Sequence, residues 1–132
     1  MIRIHRILLK NRKVSSIFNE IMRMVRYCAL ITVYSNGQPH ARAMDAFAPD
    51  DSMIVWLATN PKSRKVGEIT NNQHVSLYYA KTDGSGYVTL NGKAQIVDNP
   101  GEKESRWKDE WQAYYCFKSY YVTNFGKKIY HE

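Results

Sequence analysis

Apolar and polar residues alternate along much of the chain with the period of two that is typical of β-strands. The clearest case is residues 87–98, where apolar side chains at every second position alternate with polar or tyrosine side chains. Residues 28–34 are almost continuously apolar, as expected for a strand that is covered on both faces. The pattern predicts five strands in all, at residues 28–34, 38–48, 53–59, 74–80 and 87–98, with residues 120–125 as the candidate for a sixth.

Turn residues separate these strands. Asn36-Gly37 favours a tight hairpin between the first two strands, because both residue types accept a positive φ. Gly92 lies on the apolar face of the 87–98 strand and suggests a bulge or a bend there.

Three segments have the spacing of helices. Residues 15–26 carry Ile17, Ile21 and Val25 at intervals of four, which gives one apolar stripe. Residues 63–71 form a short helix after a turn. A third helix opens at Asn99-Pro100, with asparagine as the cap. Its aromatic side chains share one face, and they are Trp107, Trp111 and Tyr114.

The order of these elements predicts a mainly β protein with flanking helices. Adjacent antiparallel strands with short interruptions indicate a small closed or split barrel. A barrel of about six strands is too narrow to enclose a large ligand. A ligand is therefore expected on the outside or at a subunit interface.

Charge is concentrated at the N-terminus of this 132-residue chain. Five of the nineteen Lys and Arg residues fall within residues 1–13, and the rest of the chain has fourteen basic and twelve acidic residues. We therefore predict a basic tail at residues 1–13, solvated or touching phosphate or a membrane, and a single domain at 14–132. A small nucleic-acid-binding barrel is disfavoured, because the charge of that domain is nearly balanced.

The sequence shows no pattern typical of a membrane span, a signal peptide or a metal site. No apolar run approaches the roughly 20 residues of a membrane-spanning helix, and no signal-peptide pattern opens the chain. Cys28 and Cys116 stand 88 residues apart in apolar or aromatic surroundings, which is typical of buried thiols. The four histidines are scattered, so no metal site is predicted. We expect a cytoplasmic protein.

Three segments carry candidate chemistry, and one of them is the polar face of Tyr87, Thr89 and Asn91, for which ordinary outward-facing β formers are the alternative. Ser63-Arg64-Lys65 opens the short helix directly after Thr59-Asn60, and a helix N-terminus with two cations suits an anion. The alternative is an ordinary serine cap with solvated cations. Arg42 lies among small and apolar neighbours, which indicates an acidic partner: either an anionic ligand or an aspartate of this chain.

These motifs occur in an order that resembles one known family, the FMN-binding split barrels of the pyridoxamine 5′-phosphate oxidase-like superfamily, and in particular its general-stress-protein-type branch. The resemblance extends over about two thirds of the chain. The segments that carry it are residues 29–33, 36–40, 42–44, 57–60, 63–66, 75–79 and 92–98.

The resemblance implies a six-stranded antiparallel split β-barrel that forms a homodimer, with FMN bound at the interface. By this resemblance, Arg42 and the helix start at Ser63, Arg64 and Lys65 hold the flavin phosphate. The segment after Arg42 lines the isoalloxazine ring, through Ala43, Met44, Asp45 and Phe47. The ring and ribityl tail lie beside Ala58 and Thr59, and Tyr87 touches the flavin edge across the interface.

The chain also departs from the family. The oxidases proper have a lysine five residues after the arginine, where this chain has Phe47, so we do not expect a true pyridoxamine phosphate oxidase. The resemblance implies an FMN-dependent oxidoreductase that uses a small-molecule electron donor or acceptor. The alternative is a stress protein that binds flavin or haem without turnover.

Overall fold

The computed structural model describes residues 1–6, 12–49 and 54–106. The described chain falls into two compact units, Ile2–Ile96 and Met1 with the residues from Val97 onward. Its strands are β1 (Ile2–Arg6), β2 (Tyr27–Val33), β3 (Pro39–Asp45), β4 (Val55–Leu57), β5 (His74–Ala80) and β6 (Tyr87–Ile96). Its helices are α1 (Arg12–Met24), α2 (Arg64–Asn71) and α3 (Pro100–Ser105).

The six strands form one antiparallel sheet in the order β3-β2-β5-β6-β1-β4. The two outer strands of this order approach each other, since Ala46 bridges to Leu57 and the Phe47 amide donates to the Trp56 carbonyl at 3.0 Å. The sheet is therefore a curled half-barrel, and the predicted mainly β, six-stranded split-barrel fold is confirmed.

Alternation along the strands separates a buried inner face from an exposed outer face. In β6, Val88, Leu90 and Ala94 are buried, whereas Tyr87 and Thr89 are exposed. The hairpin register pairs Leu30 with Arg42, so the side chains of these two residues lie on the same face. Arg42 therefore projects toward the inner side of the sheet.

The first residues of the chain form a strand and not the predicted basic tail. Ile2–Arg6 form strand β1, which pairs with β6 on one side and with β4 on the other. Ile2 and Ile4 are 0% and 2% exposed. Their alternation with Arg3 is itself a strand pattern, but the clustered positive charge obscured it. β1 thus supplies the sixth strand of the sheet, and residues 120–125 lie outside the described residues.

The strand interior is also more regular than predicted at Gly92. The β5–β6 register runs without interruption from His74↔Lys93 to Ala80↔Tyr87, and Gly92 pairs with Val75 within it. The expected bulge is therefore absent from this ladder.

The helices lie where the sequence predicts them, but α1 covers residues 12–24 instead of the predicted 15–26, so Val25 lies beyond its end. In α1, Ile21 and Met22 are buried, but Ile17, predicted to lie on the apolar stripe, is 57% exposed. α2 matches the predicted short helix. At α3, the Asn99 side chain accepts the Glu102 backbone N–H at 3.1 Å, which confirms the predicted cap. The aromatic face after α3 and Cys116 lie outside the described residues.

In the described part of the second unit, the backbone of Met1 is hydrogen-bonded to that of Val97. The Met1 ammonium donates to the Val97 carbonyl at 3.2 Å, and the Val97 amide donates to the Met1 carbonyl at 2.9 Å. Lys103 on α3 pairs with Asp98. Within the described ranges, no helix is long and apolar enough to cross a membrane.

Candidate functional site

Arg42 reaches from β3 to a polar cluster on the inner side of the sheet. Its Nη1 donates to Thr32 Oγ1 at 2.6 Å, and its Nη2 donates to Glu68 Oε2 at 3.0 Å. The Arg42 side chain is 20% exposed. The acidic partner expected for Arg42 therefore exists within the chain, but it is a glutamate of α2 and not a nearby aspartate.

Glu68 is the centre of this cluster and was missed at the sequence level. Its Oε1 lies 2.6 Å from His40 Nδ1 and 3.3 Å from Arg64 Nε, while its Oε2 accepts the Thr32 hydroxyl as well as Arg42. Burial alone would raise the pKa of the Glu68 carboxyl, but the hydrogen bonds from Thr32, His40 and Arg42 lower it to about 2. Glu68 is therefore an ionised carboxylate at neutral pH.

Lys65 lies close enough to this cluster to interact with its charges. The pKa of the Lys65 ammonium is lowered, first by burial and then by repulsion from Arg42, with Glu68 opposing the effect. Arg42, Arg64 and Lys65 thus place three positive charges around the single carboxylate of Glu68. The three cations outnumber that carboxylate by two, which favours a doubly negative ligand.

The N-terminus of α2 adjoins these cations. Ser63 occupies the N-cap position but its side chain makes no capping hydrogen bond. Its hydroxyl lies instead 3.2 Å from the Thr59 hydroxyl. The turn before it is fixed by Asn60, whose side chain accepts the Lys62 amide at 2.9 Å. The Ser63 carbonyl accepts the Val66 N–H at 3.0 Å, but the Ser63 side chain satisfies no N–H group of the first turn of α2.

The structure brings the predicted ring-lining segments together. The bridge between Ala46 and Leu57 sets the end of β3 alongside the end of β4. The residues that this bridge draws near each other are Met44, Asp45, Phe47, Ala58 and Thr59.

These residues differ in what they face. Met44 shares the inner face with Arg42, and Ala43 lies on the outer face, where it is exposed. The Asp45 carboxylate pairs with Arg26 at 3.4 Å. Ala58 and Thr59 are both buried.

Tyr87 is a predicted site residue that a single chain does not bring to the cluster. It lies at the start of β6 on the outer face, is 66% exposed, and packs its ring against Tyr78 at a centroid distance of 5.7 Å. Arg42 faces the opposite side of the sheet. In the described part of the chain, no group of His, Cys, Asp and Glu side chains could hold a metal ion.

The family model described as pyridoxamine 5′-phosphate oxidase like matches residues 13–118. No curated protein sequence matches the chain significantly.

Several solved structures share the fold. A Clostridium acetobutylicum protein related to general stress protein 26 of Bacillus subtilis is 26% identical, with a TM-score of 0.71 over 82% of this chain and 76% of its own. General stress protein 26 of Bacillus anthracis is 24% identical, with a TM-score of 0.66 over 76% and 75%. A pyridoxamine 5′-phosphate oxidase-related, FMN-binding protein from Nostoc punctiforme is 14% identical, with a TM-score of 0.67 over 94% and 73%. The latter two likenesses concern the fold alone.

Proposed function

The chain belongs to the pyridoxamine 5′-phosphate oxidase-like family, and from this premise we propose that it binds FMN with the phosphate at the cluster of Arg42, Arg64 and Lys65. The bound flavin would supply the redox chemistry, passing electrons between a reduced donor and a small acceptor. The chain's own residues would bind and orient it.

The charge of the cluster is the observation that carries this proposal. Arg42, Arg64 and Lys65 are balanced only in part by Glu68, and α2 points an N-terminus without a side-chain cap at the same place. A phosphate monoester carries nearly two negative charges at neutral pH and accepts several hydrogen bonds. It therefore fits both the charge and the donors of this site.

Each phosphate-binding residue has a different part. Arg42 is held by Thr32 and Glu68 and would offer its remaining N–H donors in a fixed orientation. Arg64, whose side chain is 68% exposed, would close over the phosphate from the solvent side. Lys65 would add a point charge, and binding of an anion would restore the pKa that burial and Arg42 depress.

We assign the flavin ring to the seam where β3 meets β4. Ala43, Met44, Asp45 and Phe47 would line it through backbone contacts, with Ala58 and Thr59 beside it. Phe47 offers no cation at the place where the oxidases proper carry a lysine. A pyridoxal phosphate substrate would thus lack that charge partner, and we propose a different small molecule as substrate.

The position of Tyr87 supports a homodimer with FMN at the interface. Tyr87 lies with Tyr78 on the outer face of the sheet, which also carries the small side chains of Ala29 and Ala43. A second copy packed against this face would bring the partner's Tyr87 toward the flavin edge, which one chain alone does not do.

A non-catalytic flavin-binding protein is the second candidate. His40 is bound to Glu68, and Asp45 is paired with Arg26, so these two titratable groups of the proposed site are already engaged. This arrangement suits holding a flavin more than moving protons. Oxidation of NADH or NADPH by the FMN-loaded protein would favour the oxidoreductase, and stable FMN binding without turnover would favour the carrier.

Titration of the flavin-free protein with FMN and with riboflavin tests the proposed site. The two ligands share the ring and ribityl chain and differ only in the phosphate. We expect FMN to bind at least tenfold more tightly, because the charge-assisted hydrogen bonds need the phosphate. Equal affinities, or no binding of either flavin, would count against the proposal.

A further inference from the structure

Glu68 anchors Arg42, which is the main phosphate-binding residue of the proposed site. One edge of the Arg42 guanidinium is fixed on Thr32 Oγ1 at 2.6 Å and on Glu68 Oε2 at 3.0 Å. The Thr32 hydroxyl in turn donates to the same Glu68 oxygen, so the side chains of Arg42, Thr32 and Glu68 form a closed ring of three hydrogen bonds. Thr32 and Glu68 are 0% and 3% exposed, so this ring is shielded from water.

The other Glu68 oxygen orients two more groups. Its Oε1 lies 2.6 Å from His40 Nδ1 and 3.3 Å from Arg64 Nε. One carboxylate therefore spans β2, β3 and the first turns of α2, and it fixes the direction of Arg42 before any ligand arrives. An arginine anchored in this way retains free N–H donors, because a guanidinium carries five.

We infer that Glu68 is a positioning residue of the phosphate site, which presets Arg42 for the ester even though its own charge repels an anion. The inference rests on the proposed function for the identity of the ligand. It adds to that function a residue on α2 whose side chain need not touch the flavin.

Charge and positioning predict opposite results when Glu68 is replaced. Removing a negative charge beside a cation cluster strengthens the attraction for a phosphate. Removing the anchor of Arg42 weakens binding instead, because the side chain must then be ordered when the ligand binds. The sign of the change in affinity therefore separates the two effects.

The experiment compares wild type with Glu68→Gln by fluorescence titration with FMN and riboflavin. We expect FMN affinity to fall by about tenfold to a hundredfold, the range for a lost hydrogen bond between charged groups, with riboflavin affinity unchanged. The control Glu20→Gln removes the same charge from the exposed part of α1 and should change neither. Unchanged or tighter FMN binding by Glu68→Gln would overturn the inference.

Thr32→Val is a second variant that alters no charge. It removes the hydroxyl that links Arg42 to Glu68, and we expect a smaller, several-fold loss of FMN affinity with riboflavin unaffected. Thermal unfolding reports whether each variant folds. If Glu68→Gln does not fold, Thr32→Val decides alone, and unchanged FMN affinity in that variant would contradict the inference.

Inorganic phosphate separates failure of this inference from failure of the proposed function. Phosphate should raise the unfolding temperature of the wild type more than that of Glu68→Gln. If the wild type responds to phosphate but binds no FMN, only the flavin assignment fails. If it responds to neither, both are wrong.

Discussion

At the scale of single residues, burial decides which cation of the proposed site matters most. Arg42 and Arg64 both contact Glu68, but their side chains are 20% and 68% exposed. A hydrogen bond between charged groups in a partly buried site contributes about 1.5–3 kcal/mol, whereas an exposed ion pair contributes about 0–1 kcal/mol. The two arginines are therefore unequal, although both are expected to touch the phosphate.

We predict that Arg42→Lys weakens FMN binding by about 1–2 kcal/mol and that Arg64→Lys weakens it by less than about 0.5 kcal/mol. Lysine keeps the charge in both variants but loses the planar fork that can hold Thr32, Glu68 and a phosphate together. Isothermal titration with FMN measures both. Negligible losses in both variants would show that charge alone is recognised, and equal losses would show that the fixed fork of Arg42 has no special part.

The sequence identified these cations but not the carboxylate between them. Arg42 stood out because a charged residue among alanines needs a partner, and Arg64 and Lys65 stood out at a helix start. Glu68 gave no signal, since a glutamate inside a short helix is ordinary on its exposed face. Only the packing of α2 over β2 and β3 turns it inward, and that packing joins residues 26 and 28 positions apart.

At the scale of elements, the alternation of apolar and polar residues predicted most strands of the sheet. It missed the strand in which basic residues stand between the apolar ones. The alternation in β6 and the apolar run of β2 were long enough to define both strands. β1 is only five residues long, and basic side chains stand between and after its two isoleucines, so its composition suggested a tail. Pairing with β6 and β4, whose partner residues are 51 or more positions away, makes it a strand, and no local pattern contains that information.

The position of β1 between two strands predicts a large contribution to stability. Ile4→Ala should lower the free energy of unfolding by about 2–5 kcal/mol, because a buried isoleucine leaves a cavity that its neighbours fill only in part. Ile17→Ala is the matched control: the same substitution on the exposed part of α1 should change it by less than about 0.5 kcal/mol. Urea unfolding measures both, and similar small losses would mean that the N-terminus is a loose tail after all.

At the scale of the whole molecule, the residues of the proposed flavin site lie on both faces of the sheet. The inner face carries Arg42 and Glu68, which one chain completes by itself. The outer face carries Tyr87 and Tyr78 beside Ala29 and Ala43, and tyrosines next to small residues form a flat apolar surface that a second copy could cover. Sequence reasoning alone could not divide the site in this way, because the division depends on the register of four strands.

This division predicts that dimer formation and FMN binding are coupled. A chain of 15.4 kDa should elute in size-exclusion chromatography with light scattering at twice its mass, and FMN should stabilise that dimer because its site draws on both subunits. Ala29→Arg places a charge in the middle of the outer face, so it should favour the monomer and weaken FMN binding together. Ile17→Arg adds the same charge on α1 and should do neither. A monomer that binds FMN as tightly as the wild type would refute the shared site and leave the Arg42 phosphate site intact.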